Sequence, residues 1–293
     1  MAEVKDKRVV NGFILMILAL VWGSSFILMK RGLMTFTGAQ VGAIRIFVAF
    51  LFMLPLAYRH LKKEHLQHWK AFLGMGACGN LIPAFLFATA ETGISSALTG
   101  MLNSLTPLFT IITGLLFYKT KARWQSVAGV LTGLVGAIGL IASGPSSGPS
   151  SQMLYSLLVV AATILYAFSV NIIGTHLRNV NAVTATVWAL MLTGPVAGAY
   201  LFSTDFIHIL RTNPEALKAL GFVCLLGIFG TALSVIVFNI LIRNSNPVFA
   251  SSVTYLIPVV AMFWGFSDGE AITWMHILCM FIILAGVWLV NRK

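Results

Sequence analysis

Apolar residues run along this chain in long blocks, and the few charges between them serve as punctuation. Residues 9–29 are uncharged, 32–58 carry only Arg45, and between Lys70 and Lys119 the sole charge is Glu91. That last stretch is long enough for two spans. Residues 124–177 hold no charge, but Gly-Pro-Ser-Ser-Gly-Pro-Ser-Ser-Gln at 144–152 divides them. Further uncharged runs cover 179–204, 219–242, 244–267 and 271–291. A membrane span takes about 20 apolar residues, so the pattern predicts an all-α polytopic membrane protein of ten transmembrane helices. A cleaved signal peptide does not account for the first run, which is long and is followed by other spans.

The same pattern occurs twice. Gly76, Gly79, Leu105, Pro107 and Gly114 recur 151 residues later as Gly227, Gly230, Leu256, Pro258 and Gly265 (76 to 227, 114 to 265). After a one-residue slip, Trp124 and Gly136 meet Trp274 and Gly286. This predicts a first five-helix repeat at 1–143, an external Gly/Pro/Ser linker at 144–152 and a second five-helix repeat at 153–293. Five is odd, so the second repeat is expected upside down relative to the first. Inverted repeats of this kind are a mark of secondary transporters, with sites near mid-bilayer between the halves.

Composition agrees with this class. The chain is 58% hydrophobic and 9% charged, against roughly a quarter charged in soluble domains. With the N-terminus inside, the inner segments hold fourteen basic residues, and the outer ones only Lys30, Arg31, Arg211 and Lys218. This positive-inside bias places both termini in the cytoplasm. The net charge of +11 therefore reads as topology and contact with anionic lipid, not as nucleic-acid binding.

Several segments carry a family resemblance. Leu20-Val-Trp22-Gly23-Ser24-Ser25-Phe26 resembles the first-helix motif of the drug/metabolite transporter superfamily, EamA type, and Arg45 resembles an arginine of its second helix. Ser104-Leu-Thr-Pro107-Leu-Phe109 and Tyr255-Leu-Ile-Pro258-Val-Val resemble its paired helix-4 and helix-9 motifs, and Gly265 with Asp268-Gly269-Glu270 resembles its Gly-Glu helix end. At the matching place in the first half the chain departs, reading Phe117-Tyr118-Lys119-Thr120. The resemblance spans essentially the whole chain. It implies movement of small metabolites, often efflux of amino acids or related compounds, from a multi-pass position in a bacterial inner membrane.

Arg45 is the most informative side chain, since a charge at depth needs partners or water. It reads as a counter-charge for an anionic or zwitterionic substrate, or as a clamp on helix-end carbonyls, or as a side chain snorkelling to the outer headgroups. Trp22, Ser24, Ser25, Asn80, Asn103, Tyr166, Asn171, Trp188, Asn239 and Tyr255 complete a candidate cavity lining, because a small-metabolite site needs a few hydrogen-bonding groups on apolar walls. Each of them also serves as an ordinary interhelical hydrogen bond. Pro107 and Pro258 are expected mid-span, as hinges or fixed kinks.

Proton-coupled carriers keep a titratable group at depth. Only Glu91 comes near one, at the turn before Thr92-Gly93, so a facilitator or exchanger is at least as well supported as proton coupling. Glu91 with Lys30 or Arg31 forms a possible external gate. Cys78, Cys224 and Cys279 lie in spans as reduced packing residues. His60, His65 and His68 lack the partners of a metal site, and no cofactor is called for. Asn213-Pro214-Glu215 resembles a helix start on the outer surface. Oligomeric state stays open, a monomer included. Two alternatives remain: an intramembrane enzyme acting on lipid, which lacks catalytic Asp, Glu or His pairs at depth, and a non-transporting scaffold or receptor.

Overall fold

The computed structural model describes residues 2–118, 124–142, 149–245 and 247–291. Within them it contains helices and turns, with no strand. Ten apolar helical rods follow in order: α1 (Ala2–Leu33), α2 (Gly38–His60), α3 (Lys63–Ala90), α4 (Ser96–Phe117), α5 (Trp124–Ala142), α6 (Pro149–His176), α7 (Ala182–Phe202), α8 (Ala216–Asn244), α9 (Phe249–Ser267) and α10 (Trp274–Asn291). Eight are long and apolar enough to cross a membrane; in α5 and α10 the apolar stretches, Ala128–Ala142 and Trp274–Gly286, are shorter. Lys119, Thr120, Lys121, Arg123, Arg292 and Lys293, and linker positions 144–148, lie outside the described residues. The remaining linker positions open α6. A short helix, Phe206–Thr212, precedes α8, so the surface helix lies before Asn213-Pro214-Glu215, and that tripeptide leads into α8 itself.

Four rods are broken, and the breaks keep the sequence repeat. In α3 the helix loosens into a π turn at Ala77–Leu81, and in α8 at Ile228–Leu233. The two turns begin 151 residues apart (77 to 228). A π turn carries one residue more per hydrogen-bonded ring, which leaves backbone groups for other partners. In α4 the half-helix Ser96–Asn103 gives way to Thr106–Phe117; in α9 a 3₁₀ turn, Ser252–Tyr255, precedes Ile257–Ser267.

Pro107 and Pro258 are therefore not kinks within a continuous helix, as the sequence pattern leads one to expect. Each is the second residue of a new half-helix, where the missing N–H is one that has no intrahelical acceptor anyway. The carbonyls left by the breaks are covered locally. Thr106 Oγ1 donates to Asn103 O, Ser104 Oγ to Met101 O and Thr254 Oγ1 to Ser251 O.

Close backbone contact joins the rods. The most extensive pairing is between α5 and α10, where a Cβ on Gly286 would lie 2.5 Å from Gly133 N and 2.6 Å from Gly129 O. Glycine at such a crossing brings two backbones together in a way no other residue allows. Trp124 and Trp274 open these two rods with 77% and 84% of their surface exposed, the position of headgroup-level anchors. Gly286→Leu is expected to cost about 1–3 kcal/mol by overpacking and to lower the apparent Tm of the detergent-solubilised protein. Gly221→Leu, at a site where an added Cβ meets nothing within 4 Å, is expected to leave it nearly unchanged.

Candidate functional site

A cavity with about 100 Å³ of room for the centres of water-sized molecules lies among α1, α2, α3, α4, α6, α8 and α9. Both π turns face it, through Gly79 and Asn80 of α3 and Gly230 of α8, and so do the paired breaks, through Asn103 of α4 and Thr254 of α9. Asn103 and Thr254 are again 151 residues apart (103 to 254). Part of the polar lining, Asn80, Asn103, Thr106 and Thr254, thus comes from the places where regular helix stops.

Arg45 is 9% exposed and lines this cavity. Its Nε donates to Thr231 Oγ1 at 2.7 Å, inside the π turn of α8, and its guanidinium reaches the Tyr166 hydroxyl. It points into the bundle, so snorkelling to the headgroups is ruled out. The preceding residue of that turn also has a distant partner: Trp22 Nε1 donates to Gly230 O at 3.0 Å. Two aromatic pairs border the space. Trp22 meets Phe238 edge-on at 5.1 Å, and Tyr166 stacks on Phe87 at 5.5 Å. Phe87 and Phe238 occupy the same repeat position (87 to 238).

Asn239 contributes an unanswered acceptor. Thr186 Oγ1 donates its hydroxyl proton to Ala182 O, so it accepts from Asn239 Nδ2, at 3.0 Å. This leaves the buried Asn239 Oδ1 without a partner among the described residues. A buried acceptor with no donor costs free energy until something supplies one.

Of the sequence candidates, Trp22, Ser25, Arg45, Asn80, Asn103, Tyr166 and Asn239 surround the cavity. The others lie elsewhere. Ser24, one residue and about 100° around the helix from Ser25, accepts from Trp264 Nε1. Asn171 bonds Thr110 O and Thr113 Oγ1, joining α6 to α4. Trp188 stacks on Phe72 and donates to His60 O. Tyr255 packs against the main hydrophobic core. Phe26, Phe87 and Phe238 of the lining were not singled out by sequence; the shared repeat position of the last two was the available signal.

The ion pairs expected between Glu91 and Lys30 or Arg31 do not form. Lys30 Nζ lies 2.6 Å from Asp268 and 2.7 Å from Glu270, and Arg31 pairs with Asp268. Glu91 has neither partner, and both its carboxylate oxygens are buried without a hydrogen bond among the described residues. The acidic side of the lock is instead Asp268 and Glu270, in the segment that resembles the family's Gly-Glu helix end. Gly269, at φ +78, makes the turn. Glu270 then accepts from Ser96 N, Ser96 Oγ and Ala97 N, which places a carboxylate on the N-terminus of α4, where the helix dipole favours it. Gly265 makes room, since a Cβ there would lie 2.7 Å from Glu270 Oε2. One cluster thus ties the ends of α1, α4 and α9.

Burial raises the Glu270 pKa, but the hydrogen bonds from Lys30, Ala97 N–H and Ser96, with the Lys30 charge, outweigh it and hold the carboxyl below its ordinary value. A depressed pKa stabilises the fold above the unfolded-state value of about 4.3, and that contribution is lost as pH falls through the folded value. Stability from the lock is therefore expected to be constant from neutral pH to about 5 and to fall below about 4. Glu270→Gln is expected to lower the apparent Tm at neutral pH and to narrow its gap from the native chain under acid, as followed by thermal unfolding.

Comparison with known proteins bears on what such a cavity is for. The EamA-like transporter family model matches residues 11–142 and 153–292. Over 287 residues the chain is 25% identical to the uncharacterized inner membrane transporter YedA of Escherichia coli K12, covering 94% of this chain and 88% of that one. It is 27% identical over 172 residues to the aromatic amino acid exporter YddG of the same strain, 55% of each chain. A solved crystal structure, 17% identical, superposes with a TM-score of 0.64 over 97% of this chain and 98% of that one, a likeness of fold.

Proposed function

The chain belongs to the EamA-like transporter family, and we propose that it is a ten-span secondary carrier of the inner membrane that moves amino acids or closely related metabolites by alternating access, with export the expected direction. Membership in a family of transporters displaces the enzyme and scaffold alternatives. In this reading α5 and α10 complete the ten spans, both termini are cytoplasmic, and residues 1–143 and 153–293 are inverted halves joined by 144–152. The cavity is the substrate site, and the broken rods at Pro107 and Pro258 are the parts that change shape.

The observation that carries the substrate class is the pairing of Arg45 with the unpartnered Asn239 Oδ1 on one cavity. Arg45 is the one charged residue among the described lining residues. A guanidinium answers a carboxylate by charge-assisted hydrogen bonds, and the free amide oxygen answers an ammonium donor. Trp22, Tyr166, Phe26, Phe87 and Phe238 supply apolar walls and aromatic faces, which suit an uncharged side chain and also attract a cation. The relative named an aromatic amino acid exporter is consistent with this class.

Counterflow in proteoliposomes tests the proposal. Vesicles loaded with an unlabelled amino acid are expected to accumulate its radiolabelled form, with saturation, across a panel of neutral amino acids. Arg45→Ala removes a charged hydrogen-bonding partner worth about 1.5–3 kcal/mol and is expected to raise the apparent KM by roughly tenfold or more. If protein-loaded and empty vesicles behave alike across the panel, the substrate assignment fails.

A further inference from the structure

Glu91 is an acidic residue that takes no part in the lock, and its setting is unusual. Its backbone N–H bonds Phe87 O at 3.0 Å, so it caps α3 one turn beyond Phe87, on the same helix face. Phe87 lines the cavity; Glu91 therefore stands above the cavity, on its outer side. Neither Oε1 nor Oε2 is exposed, and neither has a hydrogen-bond partner among the described residues.

The surrounding groups give a charge there little support. Lys30, from α1, is committed to Asp268 and Glu270, and Arg45, from α2, to Thr231. Arg31 is taken by Asp268. Glu270, beyond α9, is negative and near enough for its charge to oppose one on Glu91. From α6, among the described residues, the phenol Tyr155 lies against Gly93, and Tyr166 stacks on Phe87 one turn below Glu91. The position is also a helix C-terminus, whose dipole opposes an anion. Burial, helped by the Glu270 charge and only partly offset by Lys30 and Arg45, pushes the Glu91 carboxyl well above its ordinary value.

We propose that Glu91 is a proton-binding site that governs the outer end of the carrier: the outer side closes only when Glu91 is protonated. In the closed arrangement described here Glu91 is a neutral acid. When the lock of Lys30 and Arg31 with Asp268 and Glu270 parts, water reaches the carboxyl, its O–H bond breaks and the proton passes to the external solution. Lys30, released from its partners, then faces the new carboxylate. Closure takes one proton back from outside. External acid therefore favours the outside-closed state, and external base holds the carrier open.

This rests on the transporter reading, but its test needs no substrate. Met29 lines the cavity and is 1% exposed. Met29→Cys, in a chain with Cys78, Cys224 and Cys279 changed to Ala, is reacted with a membrane-impermeant thiol reagent added outside. The labelling rate is compared with that of the same chain carrying Glu91→Gln, in which thiol chemistry is identical. From about pH 6 to about pH 9 outside, the rate with Glu91 intact, divided by the rate in the Glu91→Gln chain, is expected to rise at least tenfold, since the ratio of ionised to protonated carboxyl changes tenfold per pH unit. A flat ratio overturns the proposal. An infrared spectrum of the otherwise native protein at neutral pH gives a second measurement: a protonated-carboxyl C=O band is expected, and Glu91→Gln is expected to remove it. If the band is absent, or survives the substitution intact, Glu91 is ionised and the proposal fails. A chain that passes both tests yet moves none of the amino acids would instead sink the substrate assignment.

Discussion

A guanidinium set inside an apolar bundle must be met by polar groups, and in this chain the π turn of α8 meets it. Charge at membrane depth is expensive unless it finds partners or water. Arg45 obtains Thr231, whose place in the π turn directs its hydroxyl across to α2. The same turn offers Gly230 O to Trp22. Three rods are thus fixed around one irregular turn, and the space they leave is the cavity. Regular helix throughout α8 would have consumed the Gly230 carbonyl internally and presented no such surface. The local weakness of the backbone and the presence of a polar site are one fact.

The repeat explains where such weaknesses fall, though not what is placed in them. Backbone breaks coincide in both halves, at 77 and 228 and at 106 and 257. Side chains at matching positions diverge. Arg45 corresponds to Val196, which is 57% exposed. Glu270, buried on the N-terminus of α4, corresponds to Lys119. A duplicated scaffold carries one charged site and one acidic lock, so its two ends are physically distinct. On the alternating-access reading proposed above, that asymmetry biases the pair of states, since a state gains population only through interactions the other lacks.

Much of this was legible in the sequence because membrane insertion writes a strong signal. Charge-free runs locate the rods, and Gly76, Gly79, Gly227 and Gly230 mark the repeat on which the π turns lie. The breaks of α4 and α9 have no compositional signature of their own, so Pro107 and Pro258 read as mid-helix kinks when the helix had already restarted one residue before them. Inward or outward direction was harder still. Ser24 and Ser25 are equally polar, yet one faces Trp264 and the other the cavity. The lock was hidden for a different reason: Asp268 and Glu270 follow α9, and only the Gly269 turn brings them back over α4 and α1. Lys30 and Arg31 were read as loop residues, whereas α1 continues through them to Leu33, which aims both at that acidic pair.

Recognition of one small zwitterion by Arg45 at one end and Asn239 at the other is the central claim. Calorimetric titration of the purified protein with a neutral amino acid, and with the amine that has lost its carboxylate, tests that most directly. The predicted result is saturable binding of the amino acid, with binding of the amine weakened by roughly tenfold or more, the scale of a lost charge-assisted pair. Equal affinity for both, or amino-acid affinity unchanged in Arg45→Ala, would contradict it.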